Sequence, residues 1–135
     1  VLQLDRELSR MEQKLRFPKR SMVLFGMSPS IQAQAIDLKL SLNGRVIAEH
    51  RLDQAALNSL RQGGQFPVWE NNLNLGQHQF VIDVIDRSPQ NTRPAIQQRI
   101  NVRKRQARQV IGVQWVEPNR VNPAQFRWVE WPDYD

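Results

Sequence analysis

The residues that could carry out chemistry are few and stand apart from one another. His50 and His78 are the two imidazoles, and there is no cysteine. Disulfides, thiolate nucleophiles and cysteine-bound zinc are therefore excluded. A zinc site of the common kind would need carboxylates beside both histidines, which do not stand at a ligand spacing. His50 ends one alternating run and His78 begins another, so both read as strand residues. Glu49 with Asp53, or Asp83 with Asp86, could divide acid and base work, yet on strands and turns such carboxylates read as ordinary solvated groups. No serine lies in a Gly-Xaa-Ser-Xaa-Gly elbow, and neither familiar spacing of a glycine-rich phosphate cradle occurs. The expectation is a protein without catalytic residues, metal or cofactor.

Binding chemistry is better represented. Arg103-Lys104-Arg105-Gln106-Ala107-Arg108 is the densest positive run, and Arg99 brings the group to five cations in a chain of formal charge +6. The run falls between two predicted strands, which predicts a hairpin tip presenting Arg99, Arg103, Lys104, Arg105 and Arg108 at one end of the fold. Such a tip suits an anionic partner: an acidic protein face, anionic lipid or nucleic acid. A nucleic-acid site would add Trp115 or Trp128 as stacking platforms, but the pattern carries no readout motif and this is the weakest of the three. The bland alternative is a charged tip that keeps a strand pair soluble. There are four tryptophans, Trp69, Trp115, Trp128 and Trp131. Trp131, just before Pro132, has the character of an exposed anchor that buries in a protein partner or stacks on a sugar ring.

These residues need a scaffold, and the chain spells out a mainly β one. Its 135 residues have room for one domain with a modest core and a short appendage. Ile36, Leu38, Leu40 and Leu42 alternate with Asp37, Lys39 and Ser41, the period of a strand with one buried and one wet face. Asn43-Gly44 then suits a type I′ turn, so Arg45 to Arg51 should return antiparallel. Asp53 caps a short helix over Ala55 to Arg61, and Gly63-Gly64 stops it. That helix should pack Leu57 and Leu60 against a sheet edge or one end of the core. Ser21 to Met27 reads as a buried or edge strand. Phe66 to Trp69 reads as an edge strand, because Pro67 cannot donate to a central ladder. Phe80, Ile82 and Val84 mark another strand, Ile96 to Val102 the next, then Val110 to Val116 and Phe126 to Trp131. About eight strands separated by turns predict an immunoglobulin-like antiparallel β-sandwich over 19–135.

Ahead of it, Leu4, Leu8, Met11 and Leu15 are spaced four, three and four apart among charged residues. This predicts an amphipathic helix over 1–18, closed by Phe17-Pro18. The seam could form a coiled-coil arm that self-associates or grips a partner, or it could pack on its own domain; two heptads do not decide. No apolar run reaches the roughly 18 residues of a membrane span. The chain starts at Val1 without a methionine, so a processed or trimmed product is expected, and the lack of a signal stretch says nothing about destination.

Several fragments recur together in a known family: Leu15-Arg16-Phe17-Pro18, Leu42-Asn43-Gly44-Arg45 with Ala48-Glu49-His50, Leu60-Arg61-Gln62-Gly63-Gly64, Asn72-Leu73, Gly76-Gln77-His78-Gln79-Phe80 and Phe126-Arg127-Trp128-Val129-Glu130-Trp131. In their order and spacing the chain resembles small bacterial envelope proteins often mislabelled as arabinose-type transcriptional regulators. It departs from them at Phe66-Pro67-Val68-Trp69 and near Arg105. The resemblance implies a periplasmic β-sandwich without established activity, encoded beside tetratricopeptide-repeat proteins and motor proteins like those that energise TonB. It carries over no catalytic residue. A regulator role does not fit, since no helix-turn-helix is visible. The resulting expectation is a non-enzymatic module that binds another envelope protein through Leu4, Leu8, Met11 and Leu15 and through the basic end with Trp131; a carbohydrate- or peptidoglycan-binding module is the alternative.

Overall fold

The computed structural model describes residues 20–89, 95–118, 120–121 and 125–131. The expected N-terminal helix, with Leu4, Leu8, Met11 and Leu15, lies outside the described residues. The chain runs through β1 (Ser21–Met27), β2 (Ile36–Leu42), β3 (Arg45–Leu52), α1 (Gln54–Arg61), β4 (Phe66–Asn71), β5 (Gly76–Asp86), β6 (Ile96–Lys104), β7 (Gln109–Trp115) and β8 (Phe126–Trp131). They form two four-stranded sheets, ordered β4-β1-β7-β8 and β3-β2-β5-β6. The second is antiparallel throughout. In the first, β1 runs parallel to β7, with Val23 beside Ile111 and Met27 beside Trp115. The expectation of a purely antiparallel arrangement is corrected there. Parallel neighbours cannot be joined by a tight turn; strands β2 to β6 and α1 are threaded between β1 and β7.

Alternation decides which side chains meet between the sheets. Ile36, Leu38 and Leu40 stand in register with Asp86, Val84 and Ile82, and Phe80 with Ile100, so one face of the second sheet is almost wholly apolar. Val23, Phe25, Ile111, Val113 and Trp115 supply the facing rows, and all of these apolar residues join one buried cluster. The rings of Trp69 and Phe80 meet edge to face across it at 5.7 Å. Phe25 and Phe80 are fully buried; truncation of such a side chain typically costs about 3–5 kcal/mol.

The Asn43-Gly44 turn forms as expected, with φ of +52° and +87°. Asn43 also ties the turn to β5, its Oδ1 accepting from the Gln79 amide at 2.9 Å. The Asp53 carboxylate caps α1 by accepting from the Ala56 amide at 3.0 Å, and Gly63, at φ +98°, ends it. Leu57 and Leu60 are buried, and Arg61 holds the helix down by donating to the Ile31 carbonyl at 2.9 Å and to that of Ala33 at 2.5 Å. Strand β4 does stand at a sheet edge, and a register shift opposite Val23 and Leu24 interrupts its pairing. His50 closes that side: its Nε2 donates to the Val68 carbonyl at 2.7 Å and its ring meets Phe66 at 4.9 Å.

The outward face of the second sheet carries a clamp. Asp37 accepts from Arg51 Nε at 3.0 Å and from Arg87 Nε at 2.7 Å, joining β2, β3 and the segment after β5. The hydrogen bonds from Arg51 and then Arg87 hold the Asp37 carboxyl below its usual range. In the unfolded chain it titrates near 3.9. Its contribution is therefore complete above that pH and is lost as pH falls through the lower folded value. In urea denaturation the wild type is expected to be more stable than Asp37→Asn at neutral pH, with the gap closing as pH drops below about 4. A gap that stays constant through that range would show that the clamp contributes nothing.

Candidate functional site

Of the groups considered for catalysis, Asp53, Asp83, Asp86, His50 and His78 hydrogen-bond within the fold, while Glu49 is exposed on β3. Asp53 caps α1, Asp83 accepts from Gln97 Nε2 at 2.8 Å, and Asp86 accepts from the Ser88 amide at 2.8 Å. His78 Nε2 donates to the Asn74 carbonyl at 2.6 Å, so its Nδ1 is left to accept from Asn43 Nδ2 at 2.9 Å. Among the described residues no three His, Asp or Glu side chains gather as metal ligands.

The two outward faces differ. On the second sheet two of the three outward rows across β3, β2 and β5 carry charge, Arg51, Asp37, Ile85 and Glu49, Lys39, Asp83, and the third is Val46, Ser41, Val81. On the first sheet the register across β1, β7 and β8 gives Met22, Val110, Trp131, then Leu24, Gly112, Val129, and only then Gly26, Gln114, Arg127. Across these three strands two of the three rows hold only apolar residues and glycine, and on β4 the first row ends in Glu70. Leu24, Gly112, Val129 and Trp131, with the α1 end at Leu60 and Gly63, line a groove of about 430 Å³. Gly112 is its floor, and the Trp131 indole lies where a Cβ on Gly112 would stand. Trp128 and Val129 are 41% and 48% exposed at the rim.

Around Trp131 lies a second concavity of about 390 Å³, walled by Arg103, Arg105, Arg108, Gln109 and Glu130. Its frame is Gln109, 3% exposed. The Gln109 Oε1 accepts from Ser21 Oγ at 3.0 Å, while its Nε2 donates to the Arg103 carbonyl at 3.3 Å and to Glu130 Oε1 at 3.0 Å. One buried amide thus pins β1, β6 and β8 together under the arginines.

The expected hairpin tip is corrected here. Strands β6 and β7 belong to different sheets, so the basic run is a corner by which the chain crosses from one to the other. The crossing also accounts for Lys104, which the sequence places among the exposed cations. At the last inward position of β6 it is 1% exposed, and its Nζ donates to the Ala107 carbonyl at 2.5 Å, bracing the corner from within. Arg99, opposite Val81, is four residues back along β6 from Arg103 and does not line the pocket. Arg103, Arg105, Arg108 and Trp131 are the expected residues brought together.

Leu24, Gly112 and Val129 were not among them. The available signal was that Ser21 to Met27 is apolar at both parities, the mark of a strand covered on both sides. No family model, curated protein or solved structure matches this chain.

Because Gly112 has no room for a Cβ, Gly112→Ala is expected to push the Trp131 ring aside and to cost about 1–3 kcal/mol through overpacking. Two-dimensional NMR of the four indole N–H groups reads this out. The Trp131 resonance should move most; a spectrum in which it stays put would dismiss the contact.

Proposed function

We propose that this chain is a non-enzymatic protein-binding module whose corner Arg103, Arg105 and Arg108, with Trp131 beside them, take an acidic segment of a partner protein. The observation that carries the reading is the pocket itself: three guanidinium groups from one inter-sheet corner and an indole from β8 around a single concavity. Arginine forks match carboxylates in pairs of hydrogen bonds, and an indole supplies apolar contact that cations alone lack. Two opposed four-stranded sheets with one shared core support an immunoglobulin-like sandwich as the frame. The resemblance to envelope proteins supports a periplasmic setting and a partner in an envelope complex linked to a TonB-like energised system.

Electrostatics sets the expected size of the effect. Each exposed pair contributes about 0.2–1 kcal/mol, so three arginines together would account for roughly a three- to 140-fold change in affinity. An Arg103→Glu, Arg105→Glu, Arg108→Glu variant should lose at least tenfold in affinity for an immobilised glutamate-rich peptide. It should also lose the partner captured by wild type from envelope extracts, and wild-type binding should weaken with salt. Equal capture by both proteins would refute the reading, and a preference for a DNA oligonucleotide over the peptide would replace it with nucleic-acid binding.

A second reading rests on Trp128, 41% exposed at the groove rim. Stacked against sugar rings, it would make the chain a carbohydrate- or peptidoglycan-binding module. Titration with soluble glycan strands should then quench tryptophan emission in wild type and not in Trp128→Ala; an unchanged wild-type spectrum removes this reading.

A further inference from the structure

The four edges of the two sheets are not alike. Edge strands present unpaired backbone groups, and folded chains ordinarily blunt them with proline, bulges or charge. Strand β4 has Pro67, a register shift, and its Val68 carbonyl taken by His50 Nε2 at 2.7 Å. Strand β3 has a register shift opposite Leu40 and Ser41 and carries Arg45, Glu49 and Arg51. Strand β6 carries Arg99 and Arg103, and Gln98 Nε2 folds onto the Arg99 carbonyl at 2.7 Å. Strand β8 has neither proline nor bulge from Phe126 to Trp131, and its side chains at Trp128 and Val129 are exposed.

The ladder fixes which backbone groups the edge at β8 presents. The Val116 amide donates to the Gln125 carbonyl at 2.9 Å, one step beyond Trp115 opposite Phe126. Hydrogen-bonded pairs alternate along an antiparallel ladder, so Arg127, Val129 and Trp131 turn N–H and C=O towards β7. Phe126, Trp128 and Glu130 turn theirs to the outer edge, where no described strand pairs with them. Their side chains share the inward side, opposite Trp115, Val113 and Ile111. Trp128 is nevertheless 41% exposed although the Val113 it stands against is buried. The margin between the sheets is open at that indole, and one more strand on this edge would cover it.

We propose that the partner's acidic segment is held as a strand added to this edge, hydrogen-bonded to Phe126, Trp128 and Glu130. This rests on the reading of the arginine corner as an acidic-segment site and gives that segment its conformation and its pattern. Arg127 lies on the outward side of β8 with Val129 and Trp131, whereas Glu130 lies inward with Trp128. Cross-strand neighbours on one side interact most. The added strand therefore sets acidic residues outward beside Arg127 and apolar residues inward over Trp128, away from Glu130. Past the Trp131 end it reaches Arg103, Arg105 and Arg108, which wall one concavity with Glu130 and Trp131. The segment is thus an alternation of acidic and apolar residues. A second copy of β8 fits less well: antiparallel pairing would turn Arg127 of each copy towards the other's arginine corner, in a chain of formal charge +6.

The probe is a synthetic ten-residue peptide alternating glutamate and valine, with two further versions, one N-methylated at every valine and one at every glutamate. A strand on an edge turns only alternate amides to its neighbour, here those of the residues on the Trp128 side. In calorimetric titration of the wild-type chain at low salt, methylation at valine should weaken binding at least tenfold and methylation at glutamate less than threefold. Equal affinity of the two methylated versions, or the reverse order, would overturn the proposal. Amide hydrogen exchange followed by NMR reads the protein's side of the contact. With the unmethylated peptide bound, exchange at Trp128 and Glu130 should slow at least tenfold more than at Val129, whose amide already faces β7; exchange left unchanged by a peptide that binds would also overturn it. The Arg103→Glu, Arg105→Glu, Arg108→Glu variant separates the two claims. If it binds the unmethylated peptide as tightly as wild type, or wild type does not bind it, the arginine reading falls and the added strand with it. Binding that needs the arginines but ignores methylation removes the added strand alone.

Discussion

The parallel pairing of β1 with β7 is the constraint on which the rest depends. It places Ser21 beside Gln109 and Met27 beside Trp115, across nearly ninety residues of chain. Antiparallel strands can be closed by two residues, as at Asn43-Gly44, whereas this pair needs everything between β1 and β7 to be in place first. Loop closure over that length is paid once, and the return is a central pair of strands to which β4 and β8 add at the edges. The interior follows from it. With β1 and β7 fixed, Val23, Phe25, Ile111 and Val113 form a continuous apolar floor against which Phe80, Ile82 and Leu38 pack.

The same pairing creates the two surfaces considered as sites. Because β7 must lie beside β1 while β6 lies beside β5, the chain changes sheets within the few residues between Lys104 and Gln109. A corner that short cannot be buried in an apolar layer without stranding its backbone groups. Lys104 and Gln109 turn inward and satisfy the carbonyls of Ala107 and Arg103, while Arg103, Arg105 and Arg108 turn out. The two polar side chains that look like surface residues in the sequence are thus the bracing of the corner, and their burial concentrates the remaining cations on one side. The outward apolar rows have the same origin, since parallel strands are generally covered on both faces.

Much of this architecture was legible in the residues. The alternation of Ile36 to Leu42, the Asn43-Gly44 turn, the Asp53 cap and the edge position of Pro67 each have a local cause, and each is found where that cause puts it. What was not legible is non-local. Nothing in Arg103 to Arg108 says that the strands on either side belong to different sheets, so a corner reads as a hairpin tip. Nor does a lysine in a basic run announce that its ammonium will turn inward to a carbonyl. The outer groove was half legible, because Met22 and Leu24 make β1 apolar at both parities. Gly112 acquires meaning only when the register sets it beside Leu24 and Val129 under the Trp131 ring.

Trp131 is where these consequences converge, since it walls both the groove and the arginine pocket. Its position is fixed twice, by pairing with Val110 and by resting over Gly112, so little rotamer freedom remains to be lost when something packs against it. Arg103 and Arg105 differ: each is exposed on a long stem, and ordering it costs part of what the charge contributes. An arrangement of this kind divides the labour of adhesion. On the proposed reading, exposed cations would draw an acidic segment from beyond contact distance, with a reach limited by salt to about 8–10 Å. The rigid indole beside them would then set how slowly that segment leaves, because packing against a preorganised apolar side chain acts mainly on dissociation.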